Sequence, residues 1–186
     1  MRLAADRARN HGTALVFRSA NTMYGQVELG ASPSGAPDRL LTCRKRKGPG
    51  KPVLWREVDR PEQELIGIQY AGRVPEPRPL IVRNARHWLW EATGAHEGDE
   101  IPGLVAGEAD RYFPRTALPA HDERILLAHS PYTDTGGTLR HQETSLYRAP
   151  SGAWVFASGT FAWSPALDRP GHVDPRIQRA TANLLD

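Results

Sequence analysis

Residues 14–29 run ALVFRSANTMYGQVEL. Their opening, Ala14-Leu15-Val16-Phe17, is an unbroken apolar run closed by polar residues, the pattern of a buried strand. Ahead of it, residues 2–10 (RLAADRARN) set Leu3, Ala4 and Ala8 at helical spacing, and Gly12 offers the left-handed residue that ends many helices. A helix followed by a buried strand is half of a crossover unit, whose right-handed βαβ form starts with a strand before the helix. No residues are left to form that strand. The expectation is one α/β domain over residues 1–186, entered at a helix, with its early strands missing.

Working outward, further strands are expected at 26–29, 40–44, 79–82, 103–106 and 124–129. Two alternating runs, 143–149 and 153–158, flank Pro150-Ser151-Gly152 and predict a late antiparallel hairpin. Pro61 and the glutamates after it predict a helix start at 61–67. Asp174-Pro175 predicts the last helix, with the aspartate as N-cap and proline in the first turn. The proline- and glycine-rich stretches 30–37, 47–52 and 72–79 read as loops. An open, partly parallel sheet follows from these elements.

The composition narrows the function classes. Hydrophobic residues make up 39% and charged residues 24% of the 186, ordinary for a globular chain. No apolar stretch is long enough for a membrane span and no export signal is visible, so no membrane partner is expected. One cysteine excludes an internal disulfide and fits a reducing compartment, hence a cytoplasmic location. The net charge of +3 is small, and the basic run Arg44-Lys45-Arg46-Lys47 leads into Gly48-Pro49-Gly50 as an exposed turn would. No nucleic-acid partner is expected.

Seven histidines include no pair at metal-ligand spacing, and there is no GxSxG elbow or phosphate-cradling glycine loop. His96-Glu97-Gly98-Asp99-Glu100 and His121-Asp122-Glu123 read as solvated loops. Arg44 and Lys45 favour a thiolate at Cys43, but its segment reads as a strand and no local histidine serves it as base. A buried structural cysteine is the expectation. Tyr24 and Glu108 are distinguished by position, since each follows an apolar strand by a few residues. Open α/β sheets bind ligands beyond the carboxyl ends of their strands, so both are placed to reach one crevice. A phenolate and a carboxylate there make a hard, oxygen-donor site suited to a ferric-type ion.

Four collinear segments carry a resemblance over almost the whole chain: ALVFRSANTMYGQVEL (14–29), RPEQELIGIQY (60–70), HWLWEATGAHEGDEIPGLVAGEADRY (87–112) and the tail from SLYRAPSGAWVF (145–156) to residue 186. The sequence resembles the C-terminal region of the large (β) subunit of N,N-dimethylformamidase and its relatives. That resemblance implies a glutamine-amidotransferase-like (flavodoxin-like) fold and a mononuclear iron held by two tyrosines and a glutamate. Tyr24, in NTMY, matches the second tyrosine, and Glu108, in GEADRY, matches the glutamate. The first tyrosine belongs to an upstream HDEYW-like segment without a counterpart here, and Gly25 stands where relatives often carry tryptophan. The implied activity is iron-dependent hydrolysis of the C–N bond of a small linear amide. As an isolated chain the domain is expected to be inactive, needing the missing N-terminal segment or another subunit; a homo-oligomer is a further expected partner. Trp88, Trp90, Trp154 and Trp163 are expected in packing rather than in a pocket. The alternative reading is a non-catalytic α/β scaffold or interaction domain.

Overall fold

A computed structural model describes residues 2–43, 53–118 and 123–186. Helix α1 (Arg2–Asn10) turns through Gly12, at φ 88°, into β1 (Leu15–Phe17). Strands β2 (Val27–Gly30) and β3 (Leu40–Cys43) pair antiparallel, and a 3-10 turn at Trp55–Val58 leads to the short α2 (Gln63–Ile66). Next come β4 (Gln69–Ile81), a 3-10 turn at Trp88–Trp90, and β5 (Glu100–Arg111). The chain continues through β6 (Arg124–Thr133), β7 (Leu139–Arg148) and β8 (Trp154–Ala157). A 3-10 turn at Phe161–Trp163, α3 (Pro165–Asp168) and α4 (Pro175–Asn183) complete it.

The structure is mixed α/β, and its four-stranded sheet, ordered β1-β8-β7-β6, is partly parallel. β1 runs parallel to β8, whereas β8, β7 and β6 pair antiparallel. The β7–β8 hairpin turns at Pro150-Ser151-Gly152, as its sequence predicts, with Gly152 at φ 87° donating its N–H to the Ala149 carbonyl at 2.8 Å. β4 and β5 form a second antiparallel pair, tied to the sheet through bridges at Val82–Ala128 and Ala109–Thr160. Asp174 caps α4 by accepting the Arg176 N–H at 2.9 Å, a contact worth about 1 kcal/mol.

Between these elements lies an apolar core containing Leu80, Val82, Leu89, Val105, Leu146, Phe156 and Ile177. Trp90 and Trp163 belong to it, and each indole N–H finds an acceptor, Arg83 O at 3.2 Å and Thr181 Oγ1 at 3.0 Å. Buried tryptophans without such partners would bring an unpaired donor into the core. Trp88 and Trp154 meet edge-on at the margin of the core, 5.8 Å between ring centroids.

Three expectations need correction. Residues 72–79, read as a loop, lie inside β4. Pro75, Pro77 and Pro79 fall where the ladder with β5 skips, between Val74 and Arg78 and between Arg78 and Leu80, so no missing proline N–H interrupts a formed pair. Glu108 does not follow a strand that ends at residue 106; it sits within β5, because Gly107 at φ 74° continues the strand opposite Val74. Cys43 is exposed rather than buried. The β2–β3 hairpin stands away from the core, leaving Leu40 and Leu41 more than half exposed as well. Residues 44–47 and 121–122, read as solvated loop, lie outside the described residues.

Candidate functional site

The site is built on one face of the β4–β5 pair. Tyr70 lies opposite Asp110 and Arg73 opposite Glu108, and directly opposed residues of an antiparallel pair share a face. Tyr70 and Arg73 are three apart, which in a regular strand would put them on opposite faces. The register shift between Tyr70 and Gly72 leaves Ala71 as an extra residue and restores them to the same side. Tyr70, Arg73, Glu108 and Asp110 are thereby gathered on one surface.

The loop after β1 brings Tyr24 to this surface. Asn21 and Met23 adopt left-handed φ values of 55° and 54°, uncommon for residues other than glycine. The turn is held by the Asn21 N–H, which donates to Asp110 Oδ1 at 2.8 Å, and by Ser158 Oγ–H, which donates to the Ser19 carbonyl at 3.3 Å. Tyr24 then meets Tyr70 edge-on, with ring centroids 5.3 Å apart. The Arg56 guanidinium covers the Tyr24 ring at 5.1 Å and ion-pairs with the buried Glu62.

Three carboxyl groups, Glu62, Glu108 and Asp110, and two guanidiniums, Arg56 and Arg73, set the electrostatics of this surface. Asp110 is 1% exposed, and burial raises its carboxyl to about 7, against the lowering effect of the Asn21 N–H and with Glu62 and Glu108 adding to the rise. Burial also raises the Tyr70 phenol, with Glu108, Tyr24 and Asp110 pushing the same way and Arg73 opposing. For Arg56, burial acts to lower the guanidinium, but the Glu62 contact outweighs it and Tyr24 and Asp110 add to a net rise. Asp110 Oδ2, Gln69 Oε1, Asn21 Oδ1 and Thr22 Oγ are buried without a hydrogen-bond partner among the described residues. Buried oxygens left this way cost stability unless something satisfies them.

Beside this surface a cleft of about 380 Å³ opens between Arg56, Asp59, Gln69, Arg115 and Thr116, at the small end of the range for ligand pockets. Gln63 shapes its rim. Its side-chain N–H donates to the Phe113 and Thr116 carbonyls at 3.1 and 3.0 Å, and its Oε1 accepts the Phe113 N–H at 2.7 Å.

Of the residues singled out in the sequence, Tyr24 and Glu108 are linked through Tyr70, whose ring touches the first and whose phenol feels the charge of the second. Tyr70 and Asp110 were not legible as site residues. The signal available was the alternation Glu108-Ala109-Asp110, which puts two carboxylates on one strand face, together with the tyrosine that closes RPEQELIGIQY. Another cluster also escaped spacing arguments: the β6–β7 hairpin stacks His129 on His141 at 4.4 Å, and His129 Nδ1 lies 3.3 Å from Glu143 Oε1. Among the described residues, no three histidine, cysteine, aspartate or glutamate side chains are arranged to hold a metal. A cation site here would therefore need phenol oxygens as well. The Tyr24 phenol, the Glu108 carboxylate and the buried, unpartnered Asp110 Oδ2 are oxygen donors of the class a hard cation takes, although the Arg56 guanidinium already lies over the Tyr24 ring.

Comparison with known proteins agrees with the resemblance carried by the sequence. A family model described as N,N-dimethylformamidase beta subunit-like, C-terminal, matches residues 1–177. No curated protein matches the chain. Among the described residues no helix is long and apolar enough to cross a membrane. The chain belongs to the N,N-dimethylformamidase beta subunit-like C-terminal family.

Proposed function

We propose that this family member is the metal-holding domain of an amide hydrolase of glutamine-amidotransferase-like type, with Tyr24 and Glu108 as protein ligands of a ferric-type iron. The observation that supports this reading is Asp110, two residues from Glu108 on the same strand face, whose Oδ2 is buried and unpartnered among the described residues and whose Oδ1 accepts the Asn21 N–H of the loop that carries Tyr24. Bound iron would supply a Lewis acid for the carbonyl of a small linear amide.

The chain's own residues do the rest. Asp110, fixed through the Asn21 N–H, holds the Tyr24 loop against the strand that carries Glu108. Arg56 covers the outer face of the Tyr24 ring and pairs with Glu62, which limits solvent access on that side. The adjoining cleft offers Arg56 and Arg115 as donors to a carbonyl oxygen and Gln69 as a neighbour for an amide nitrogen. Donors placed where negative charge develops stabilise the transition state of acyl transfer.

Amine release from formamides and simple amides tests the reading, measured on the iron-loaded chain with and without other subunits. Iron-dependent turnover is expected when the N-terminal segment or another subunit is supplied, and it should disappear in Glu108→Gln. Turnover independent of iron would contradict it, and no turnover under any of these conditions would favour a non-catalytic scaffold.

A further inference from the structure

The cleft between Arg56 and Arg115 is lined by two charges and an amide that the protein leaves unmatched. Of its guanidiniums, Arg56 is engaged, since Nε and Nη2 both donate to the Glu62 carboxylate. Arg115 stands in the turn Phe113-Pro114-Arg115-Thr116, where proline suits the second position and the Thr116 N–H donates to the Phe113 carbonyl at 3.0 Å. Gln63 clamps that turn, accepting the Phe113 N–H at 2.7 Å and donating to the Thr116 carbonyl at 3.0 Å. Arg115 is thus carried on a fixed support, yet among the described residues it meets no carboxylate.

Asp59 lines the same cleft. It closes the 3-10 turn at Trp55–Val58 with a left-handed φ of 55°, a conformation that aspartate tolerates better than most residues. Its carboxylate forms no ion pair among the described residues, with Arg115 or with any other group. Two opposite charges therefore line one cleft of about 380 Å³ without meeting. Gln69, at the start of β4, is 6% exposed, and its amide makes no hydrogen bond among the described residues. Buried amides are ordinarily bonded. With neither end held, this one can turn its donor or its acceptor toward a ligand.

An uncharged ligand would desolvate Arg115 and Asp59 and match neither, and a singly charged one would leave one of them bare. A ligand with both a carboxylate and an ammonium group matches both. We propose that the cleft binds a small zwitterionic amide, a molecule of the dipeptide class in which one amide lies between an ammonium group and a carboxylate. Arg115 takes the carboxylate, in the two-point geometry that guanidinium allows; Asp59 takes the ammonium group and Gln69 a polar end of the amide. As a statement about substrate this rests on the proposed amide hydrolysis. As a statement about binding it involves no metal.

The test is titration of the metal-free whole chain, followed by NMR chemical shifts, with four probes that share an amide. Acetamide is uncharged, N-acetylglycine adds a carboxylate, glycinamide an ammonium group, and glycylglycine both. Each charge is expected to tighten binding about fivefold, and the two together about 25-fold. Arg115→Gln should abolish the advantage of N-acetylglycine over acetamide and keep that of glycinamide. Asp59→Asn, with asparagine accepted at the left-handed φ, should do the reverse. Gln69→Leu should weaken all four probes alike, about fivefold. Acetamide binding as tightly as glycylglycine, no binding of glycylglycine, or an order of affinities unchanged in both charge variants would overturn the proposal. Iron-dependent turnover of simple amides by a chain that lacks this order would overturn the proposal alone; the order without any turnover would leave the cleft assignment standing and count against the hydrolase.

Discussion

Two charged regions of this molecule, both partly buried, are built on opposite plans. At the seam between α1 and α2, Arg2, Arg9 and Arg60 meet Asp6 and Glu64 in a continuous network. Arg2 is 1% exposed, yet it donates to the Arg60 and Pro61 carbonyls at 3.2 and 3.1 Å and to Glu64 at 3.3 Å. At the β4–β5 face the pairing is incomplete: Asp110 is buried, its Oδ2 has no partner among the described residues, and burial raises its carboxyl to about 7. Opposite charges in contact are ordinary ways of closing a seam, whereas a buried carboxyl with an unpartnered oxygen is a cost to folding. The first region secures the chain; the second is the one proposed above to receive a ligand.

Perturbing the seam should therefore change stability and spare ion binding. The largest effect is expected from Arg2→Leu, which strips Asp6 and two carbonyls of a buried partner and should cost about 3–5 kcal/mol. Chemical denaturation measures this, and a cost below about 1 kcal/mol would show that the network is replaceable.

Asp110 gives an effect of similar size but of a different kind. Its folded pKa, raised to about 7 by burial, lies above that of an unfolded aspartate. Stability is thus fully present below about pH 4 and is lost as pH rises through the folded value, after which it levels. Summed over that window the loss approaches about 4 kcal/mol. In the metal-free chain, Asp110→Asn should remove this slope, as thermal midpoints across pH 4–8 would reveal; an unchanged slope would mean that Asp110 is ionised when folded. The smallest effect is expected at Glu64→Gln. Its side chain is 36% exposed, so solvent screens the pair and the cost should stay under about 1 kcal/mol, again by denaturation.

The parts of the fold that local chemistry specifies could be read in advance. Pro150-Ser151-Gly152 turns the β7–β8 hairpin and Asp174-Pro175 starts α4, because each signal is contained within a few residues. β4 could not be read this way, since its prolines resemble a loop until the pairing gaps in β5 are known. Exposure of Cys43 likewise depends on where the β2–β3 hairpin stands relative to the core. At the candidate site, Tyr24 and Glu108 emerged from position and resemblance. Tyr70 and Asp110 did not, for their shared face depends on one extra residue at Ala71 and on a contact 89 residues apart in sequence, between Asn21 and Asp110.

The central claim is that the acidic face, and not the seam, holds an ion through Tyr24 and Glu108. Iron content per chain after ferric loading and desalting tests it most directly, in the parent, Tyr24→Phe, Glu108→Gln and, as the seam control, Glu64→Gln. The account predicts about one iron per chain in the parent and the control, and loss of most of it in the two site variants with their fold intact. Full retention of iron in both site variants would contradict it.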